Sequence, residues 1–332
     1  MPNLLDAFNR SLELIILPTE ECNFRCVYCY EDFKIKRMSS VTVNAIKRLL
    51  DQRAGELESL KLQWFGGEPL LAMDIIEDIS SYALRLRDDI NNKMSISGYA
   101  TTNGSLLDRE RLGRLVALGT DSFQITLDGD REEHNRLRVG AGGLGTFDVV
   151  WKNILDAHRS DLKFNIIIRL HVNSDNEESM RHLLDRIRDE IGTDSRFSIF
   201  IRKLAKLGGK NDDVLPISYD VDTVERLREY AISLGLRPLG YDVYKRDFGY
   251  VCYAAKPNSY VIRANGDVSK CTVALYNDFN IVGHLNSNGR LELDRDKIMG
   301  WSRGIFNRNK RELECPLHDF PLKRAVSEVI DR

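Results

Sequence analysis

Six cysteines dominate the chemistry available to this 332-residue chain, and they fall into two sets of three. The first set is local: Cys22-Asn-Phe-Arg-Cys26-Val-Tyr-Cys29, a C-x3-C-x2-C spacing. Three thiolates on one tight loop can hold three irons of a 4Fe–4S cluster, for which cysteine is the usual protein ligand. No fourth cysteine is near, so the last iron would keep an open coordination position, the feature that separates catalytic from structural metal sites. The same run also reads as half of a zinc site, although zinc cysteines usually come as C-x2-4-C pairs completed by a second Cys or His pair. The second set, Cys252, Cys271 and Cys315, is dispersed over the C-terminal part of the chain.

Composition narrows the setting. Apolar residues make up 42% and charged residues 30%, with a formal net charge of −2, so no cationic excess favours nucleic acid or an anionic membrane surface. No apolar run approaches the length of a membrane span. The opening Met-Pro-Asn-Leu-Leu-Asp lacks a basic segment followed by an apolar core, so no signal peptide is read and a cytoplasmic location is expected. In a reducing compartment six cysteines point to metal or redox use rather than three disulfides.

The elements that must position the first set alternate regularly. Strands are expected at 12–17, 60–65, 94–101, 122–127, 164–172 and 197–203, from short apolar or β-branched runs. Helices are expected at 41–53 (capped by Ser40), 74–87, 108–118, 147–158, 177–191 and 221–234. Six strand–helix units in a row predict a parallel sheet with helices outside, short of the eight in a closed barrel. In such sheets the active site forms at the C-terminal strand ends, and Cys22 follows the first strand. After the second strand comes Gly66-Gly67-Glu68-Pro69, where the glycines allow close backbone approach and Glu68 could accept hydrogen bonds from an ammonium group. Asn103-Gly104 and Asp128-Gly129 follow the third and fourth strands and read either as turns or as ligand contacts. His134 reads as a structural hydrogen-bonder, and Arg169 as a group that reaches a ligand or pairs with an acid. The loop 203–220 could line a substrate channel, and the helical period stops near 234–250, where a boundary is placed.

The cysteine spacing, the Gly66–Pro69 loop and the run from Gln124 through Thr126-Leu-Asp-Gly, His134, Arg138 and Gly145-Thr-Phe147 together resemble the radical S-adenosylmethionine (radical SAM) superfamily, in its peptide-modifying branch. The resemblance implies an α/β fold, a partial (β/α)6 TIM barrel. It implies a 4Fe–4S cluster on Cys22, Cys26 and Cys29 whose open iron chelates SAM, with Tyr28 at the family's aromatic position. Gly66, Gly67 and Glu68 match the loop that binds the SAM amino group. Thr126 and Arg138 would hold the SAM ribose and carboxylate, a task that suits a guanidinium, and Asn103 is a further cofactor-binding candidate. Reductive cleavage of SAM would yield a 5′-deoxyadenosyl radical that abstracts hydrogen from substrate.

The C-terminal part carries a hairpin signal, 259–263 and 267–271 around Asn265-Gly266. Its Gly266-x4-Cys271 resembles the SPASM domain and its shortened twitch form, which hold auxiliary iron–sulfur clusters. The expected division is therefore a barrel over 1–235 and a small β-hairpin-containing auxiliary domain over 236–332. Three cysteines suffice for one auxiliary cluster with a fourth ligand, and His318 stands where a C-x2-C ending would place that ligand; the alternatives are an open iron that binds substrate, a three-iron cluster, or His318 as a surface imidazole. The resemblance implies a ribosomal precursor peptide as substrate, cross-linked or similarly oxidised, and an electron donor such as flavodoxin or ferredoxin. Only about a dozen residues precede the first strand, so a separate leader-binding protein, or the barrel itself, would recognise the leader. Neither nucleic acid nor membrane is expected as a partner. Three alternatives stand beside this reading: formylglycine formation of the sulfatase-maturase type, small-molecule dehydrogenation of the twitch type, and a non-catalytic metal-binding protein. Thr272, not an Asp, follows Cys271, which counts against the first.

Overall fold

The computed structural model describes residues 10–217, 220, 222–239, 250–318 and 320. Its first part alternates strand and helix: β1 (Ser11–Ile16), β2 (Phe24–Cys26), α1 (Ser40–Arg53), β3 (Ser59–Trp64), α2 (Met73–Ile90), β4 (Ser95–Thr102), α3 (Arg109–Ala117), β5 (Thr120–Leu127), α4 (Arg131–Leu137), β6 (Arg138–Gly140), α5 (Phe147–His158), β7 (Asn165–Val172), α6 (Glu177–Glu190), β8 (Phe197–Lys203) and α7 (Thr223–Ser233). The C-terminal part adds β9 (Ser259–Ile262), β10 (Asp267–Ser269), β11 (Ile281–Leu285), β12 (Leu291–Leu293), α8 (Arg295–Asn307) and α9 (Lys310–Glu314). Among the described residues no helix is long and apolar enough to cross a membrane.

The six expected strands are β1, β3, β4, β5, β7 and β8, adjacent in that order and all parallel, as the six strand–helix units require. Their two faces differ. On β7, Ile166, Ile168, Leu170 and Val172 are buried and join the main core between sheet and helices, while Ile167, Arg169 and His171 alternate onto the inner face. The helices answer with apolar stripes such as Val43, Ile46, Leu49 and Leu50 on α1. Truncating a fully buried member of this layer, such as Leu170, to Ala would cost about 2–5 kcal/mol. The helix cap differs by one residue from expectation. Ser39 is the extended residue whose Oγ accepts from Thr42 N–H, and Ser40 is already helical. The predicted helix start at Val221 and most of the proposed boundary region, 240–249, lie outside the described residues.

The predicted hairpin forms as β9 and β10, with Gly266 at φ +90° in its turn. Its placement was not foreseen. β9 pairs in parallel with β1, Glu13 opposite Ser259 through Ile16 opposite Ile262. One ten-stranded sheet therefore runs from β12 to β8, and the C-terminal unit continues the barrel's sheet. Trp301 on α8 is buried and stacks with Phe279 and Phe320, and the Cys252 N–H bonds the Leu313 carbonyl at 2.8 Å, which draws Cys315 towards Cys252.

Candidate active site

The loop carrying Cys22, Cys26 and Cys29 leaves the C-terminal end of β1 and is braced by almost every loop at that end of the sheet. From the loop after β3, Glu68 N–H donates to Glu21 O at 2.9 Å. From the end of β4, Asn103 Nδ2 donates to Asn23 Oδ1 at 2.8 Å and lies 3.9 Å from Cys22 Sγ. From β6, Arg138 stands opposite Cys26 in a two-stranded antiparallel ladder, β2 with β6. From the loop after β8, Asn211 Nδ2 donates to Val27 O at 2.8 Å, and a Cβ on Gly209 would lie 2.8 Å from the Cys29 carbonyl oxygen. The expected channel-lining loop therefore packs directly on the cysteines. From the C-terminal unit, Arg263 forks onto Glu20, with Nε 3.1 Å and Nη2 2.5 Å from its two oxygens, both side chains buried.

The glycine loop is shaped by that packing. Gly66 adopts φ +117°, and a Cβ there would run into the Thr19 carbonyl, while one on Gly67 would lie 2.5 Å from the Glu21 carbonyl oxygen. Both glycines are needed for two backbones to touch. Glu68 is fully buried and its carboxylate is consumed inside the protein: Oε1 accepts from Leu70 N–H at 3.0 Å and Thr102 Oγ1 at 2.8 Å, and Oε2 from Asn103 N–H at 2.7 Å. Burial raises its pKa against those three donors. Glu68 thus acts as a brace between two loops, and the neighbouring backbone is what remains for a ligand. Asn103 is likewise a turn residue, its Oδ1 taking Ser105 N–H and Oγ at 2.9 and 2.7 Å while its amide steadies Asn23.

Behind the cysteines lies a polar relay of Arg138, Tyr28 and Asp128, each a candidate in the sequence, joined by His171, which the sequence did not single out. Arg138 Nη1 donates to Tyr28 Oη at 2.5 Å, and Tyr28 Oη donates to Asp128 Oδ2 at 2.6 Å. His171 Nδ1 is 3.3 Å from Asp128 Oδ1, and its ring meets Tyr28 edge-on. Burial would raise the Asp128 pKa, but His171, Arg138 and His134 outweigh it and hold the carboxyl at about 2. Burial and the Arg169 charge push His171 down to about 4, so it is neutral near pH 7. Arg138 is buried over the Phe24 ring, and its Nε has no hydrogen-bond partner. Thr126 is buried at the end of β5, in register with Arg169 on β7. His134 is structural as read: Nε2 lies 3.1 Å from Thr146 Oγ1, and burial, with Arg138 nearby, lowers its pKa to about 3. Glu31, not anticipated, is pushed up to about 8 by burial and by Glu20.

A family profile described as the radical SAM superfamily matches residues 16–187, just over half of the chain and spanning β1 to α6. The chain belongs to the radical SAM superfamily. Members are enzymes that use a 4Fe–4S cluster and SAM. The chain is 26% identical over 193 residues to Fe-coproporphyrin III synthase of Methanosarcina barkeri, covering 57% of this chain and 45% of that protein. It is 26% identical over 174 residues to the cysteine-type anaerobic sulfatase-maturating enzyme of Clostridium novyi, covering 50% and 45%. It is 35% identical over 129 residues to GTP 3′,8-cyclase of Corynebacterium glutamicum, covering 38% and 33%. The chain thus matches less than half the length of these curated relatives. Among solved structures it resembles anSMEcpe with bound AdoMet and Cp18Cys peptide (TM-score 0.67, 18% identity, 96% of this chain and 86% of that one). It also resembles Streptococcus suis SuiB bound to precursor peptide SuiA (TM-score 0.63, 18%, 90% and 69%). These likenesses show the fold and extend it past the barrel into the C-terminal unit.

The residues fit the radical SAM cluster. Cys22, Cys26 and Cys29 are close enough to act on one another, and burial followed by neighbouring acids pushes Cys22 and Cys29 up to about 12, a set of thiols that only a cation would hold as thiolates. Phe24 N–H points at Cys22 Sγ at 3.3 Å, a donor of the kind that tunes cluster sulfurs. The second set also comes together: Cys271 and Cys315 both raise the pKa of Cys252, which burial pushes up to about 12. His318 N–H bonds the Cys315 carbonyl at 3.0 Å, and its Nδ1 is buried without a hydrogen-bond partner.

Proposed function

We propose that this chain is a peptide-modifying radical SAM enzyme with one auxiliary cluster. Cys22, Cys26 and Cys29 hold the 4Fe–4S cluster, and Cys252, Cys271 and Cys315 hold the auxiliary one, with His318 as its fourth ligand. The observation that carries the substrate class is the likeness in fold, reaching through the C-terminal unit, to two enzymes solved with peptides. When bound, the cluster and SAM supply the 5′-deoxyadenosyl radical that takes hydrogen from a substrate carbon.

The chain's own residues set the stage. Arg138, cationic and beside Cys26, is placed to take the SAM carboxylate, and the Tyr28–Asp128 relay keeps its guanidinium in position. The backbone of Gly66 and Gly67 is left for the SAM amino group, because Glu68 is already satisfied. Thr126, buried at the end of β5, would hold the ribose. The inner sheet face carries Ile15, Leu17 and Val261 packed with Tyr30, Phe65 and Tyr253, an apolar floor that excludes water beneath the reacting atoms. A flavodoxin or ferredoxin would deliver the electron.

A small-molecule substrate is the second reading, favoured by the GTP 3′,8-cyclase likeness and by the single auxiliary cysteine set. Anaerobic reconstitution followed by an assay for 5′-deoxyadenosine tests the enzyme reading, which fails without SAM cleavage by an intact, reduced cluster. Mass spectrometry of candidate precursor peptides then tests the substrate. A loss of two mass units marks a cross-link or dehydrogenation, and unmodified peptides alongside uncoupled SAM cleavage move the choice to small molecules. For His318→Ala, a changed auxiliary iron content and spectrum is expected, and an unchanged pair removes His318 from the ligand set.

A further inference from the structure

On the inner face of the sheet, near its C-terminal mouth, stands a guanidinium with no counter-ion among the described residues. Arg169 on β7 has an Nε that is buried and makes no hydrogen bond. The groups that act on it most strongly are Arg202, Tyr28, Tyr30 and Tyr99, with His171 also in range, and none of these is a carboxylate. Its guanidinium lies 6.0 Å from the Phe200 ring centroid. Arg202 is exposed on β8, opposite His171, so it projects from the same face one step nearer the mouth. Two cations are thus presented together beside Tyr28, Tyr30 and Tyr99, and the first two phenols already donate to Asp128 and to the Thr272 carbonyl. Burial and the second positive charge both depress the Arg169 pKa, the signature of a site that lacks an anion.

Two carboxylates of the inner face, Glu13 and Asp128, have partners other than Arg169. Glu13, at the opposite end of the sheet, lies 3.2 Å from Lys61 and 3.3 Å from Lys256. Asp128 takes the Tyr28 hydroxyl. SAM has one carboxylate, and Arg138 beside Cys26 is the guanidinium placed for it. Among the described residues Arg169 therefore has no anionic partner, and the SAM carboxylate is assigned to Arg138. Arg169 is half-buried with its Nε enclosed, and an enclosed, unpaired guanidinium nitrogen is costly unless a ligand completes it.

We propose that Arg169, assisted by Arg202, is a receptor for a carboxylate of the substrate, so that the enzyme selects a segment with an acidic side chain or C-terminus next to the carbon it oxidises. The proposal rests on the peptide reading for the segment, but the receptor itself does not. A planar fork meeting a carboxylate gives two parallel charge-assisted hydrogen bonds, and the neighbouring phenols fix the approach.

The test measures binding to the reconstituted protein with SAM. The probes are an acetylated, amidated Gly-Ala-Glu-Ala-Gly peptide, its Gln counterpart, and the pair glutarate and glutaramide. Wild type should bind the glutamyl peptide about tenfold tighter than the glutaminyl one, and glutarate over glutaramide likewise. Arg169→Gln should bring each pair within about twofold, with the SAM Kd unchanged, and Arg169→Lys should keep only part of the preference because an ammonium cannot fork. Arg202→Gln should lose about threefold of the preference, a smaller effect suited to an exposed charge, and it decides the matter if Arg169→Gln does not fold. Preference that survives in Arg169→Gln, a loss that falls on SAM instead, or wild type without preference would each overturn the receptor. Peptides bound without regard to charge leave the peptide reading standing and remove the receptor. Glutarate selected through Arg169 with neither peptide bound does the reverse.

Discussion

The two cysteine sets are built in opposite ways. Cys22, Cys26 and Cys29 sit on one short loop, and the rest of the barrel comes to them through Glu68, Asn103, Arg138, Asn211 and Arg263. Cys252, Cys271 and Cys315 come from three separate segments, held by a few bonds such as Cys252 N–H to Leu313 O and Cys271 N–H to Asn280 Oδ1 at 2.9 Å. The first site is framed by a fold with its own core. On the proposed ligand set the second would gather three separate segments, and metal binding there would be coupled to folding. A barrel can present a cofactor, whereas a small unit needs one to complete it.

The strongest way to break this comparison is at the ligands. Cys26→Ala is expected to cut 5′-deoxyadenosine formation by more than about a hundredfold, beyond the cost of losing an outer-shell partner. The barrel should keep its hydrogen-exchange protection, and loss of protection in β3 to β8 would contradict a self-sufficient frame. Cys271→Ala should do the converse. Amides of β10, β11 and α8 become exchangeable and modified product falls further than SAM cleavage does, whereas full protection there would mean that the unit folds without metal.

The joint between the two regions gives a third test. Arg263→Gln leaves Glu20 buried and uncompensated, and stability should drop by about 3–5 kcal/mol in denaturant unfolding. A loss below about 1 kcal/mol would place the coupling elsewhere. The smallest effect concerns pH. His134 has a folded pKa near 3, below its unfolded value, so the unfolded chain binds the extra proton between about pH 6.5 and 3 and stability falls as pH falls through that window. In His134→Asn, proton uptake on unfolding there should decrease by about one per chain, and an unchanged pH slope would assign the acid sensitivity to other groups.

The order of strands and helices was legible because each segment carries its own period, and the first cysteine set because its spacing is local. The hairpin around Gly266 was legible from its turn residues. What escaped depends on distance along the chain. Cys26 meets Arg138 through three-residue strands too short to show a period, and Tyr28 reaches Asp128 across 100 positions. Glu68 looked like a ligand acceptor because a sequence does not reveal three donors from other loops. His171 gave no signal beyond its β-strand, Asp128 read as a turn or a ligand contact but not as the acceptor of Tyr28, and the absence of an acid beside Arg169 among the described residues is visible only in three dimensions.

The parallel pairing of β9 with β1 has a consequence for how the chain is made. Leu12 through Leu17 are all buried, and one flank of β1 is covered only by β9, from far down the chain. A fragment ending after α7 would leave that flank as a bare, apolar ribbon of backbone donors and acceptors, a template for edge-to-edge aggregation. Because a chain emerges from the ribosome N-terminus first, the strand that leads into the cysteine loop is made early and sealed late. Until the residues around Tyr260 appear, its exposed flank is the molecule's point of greatest danger.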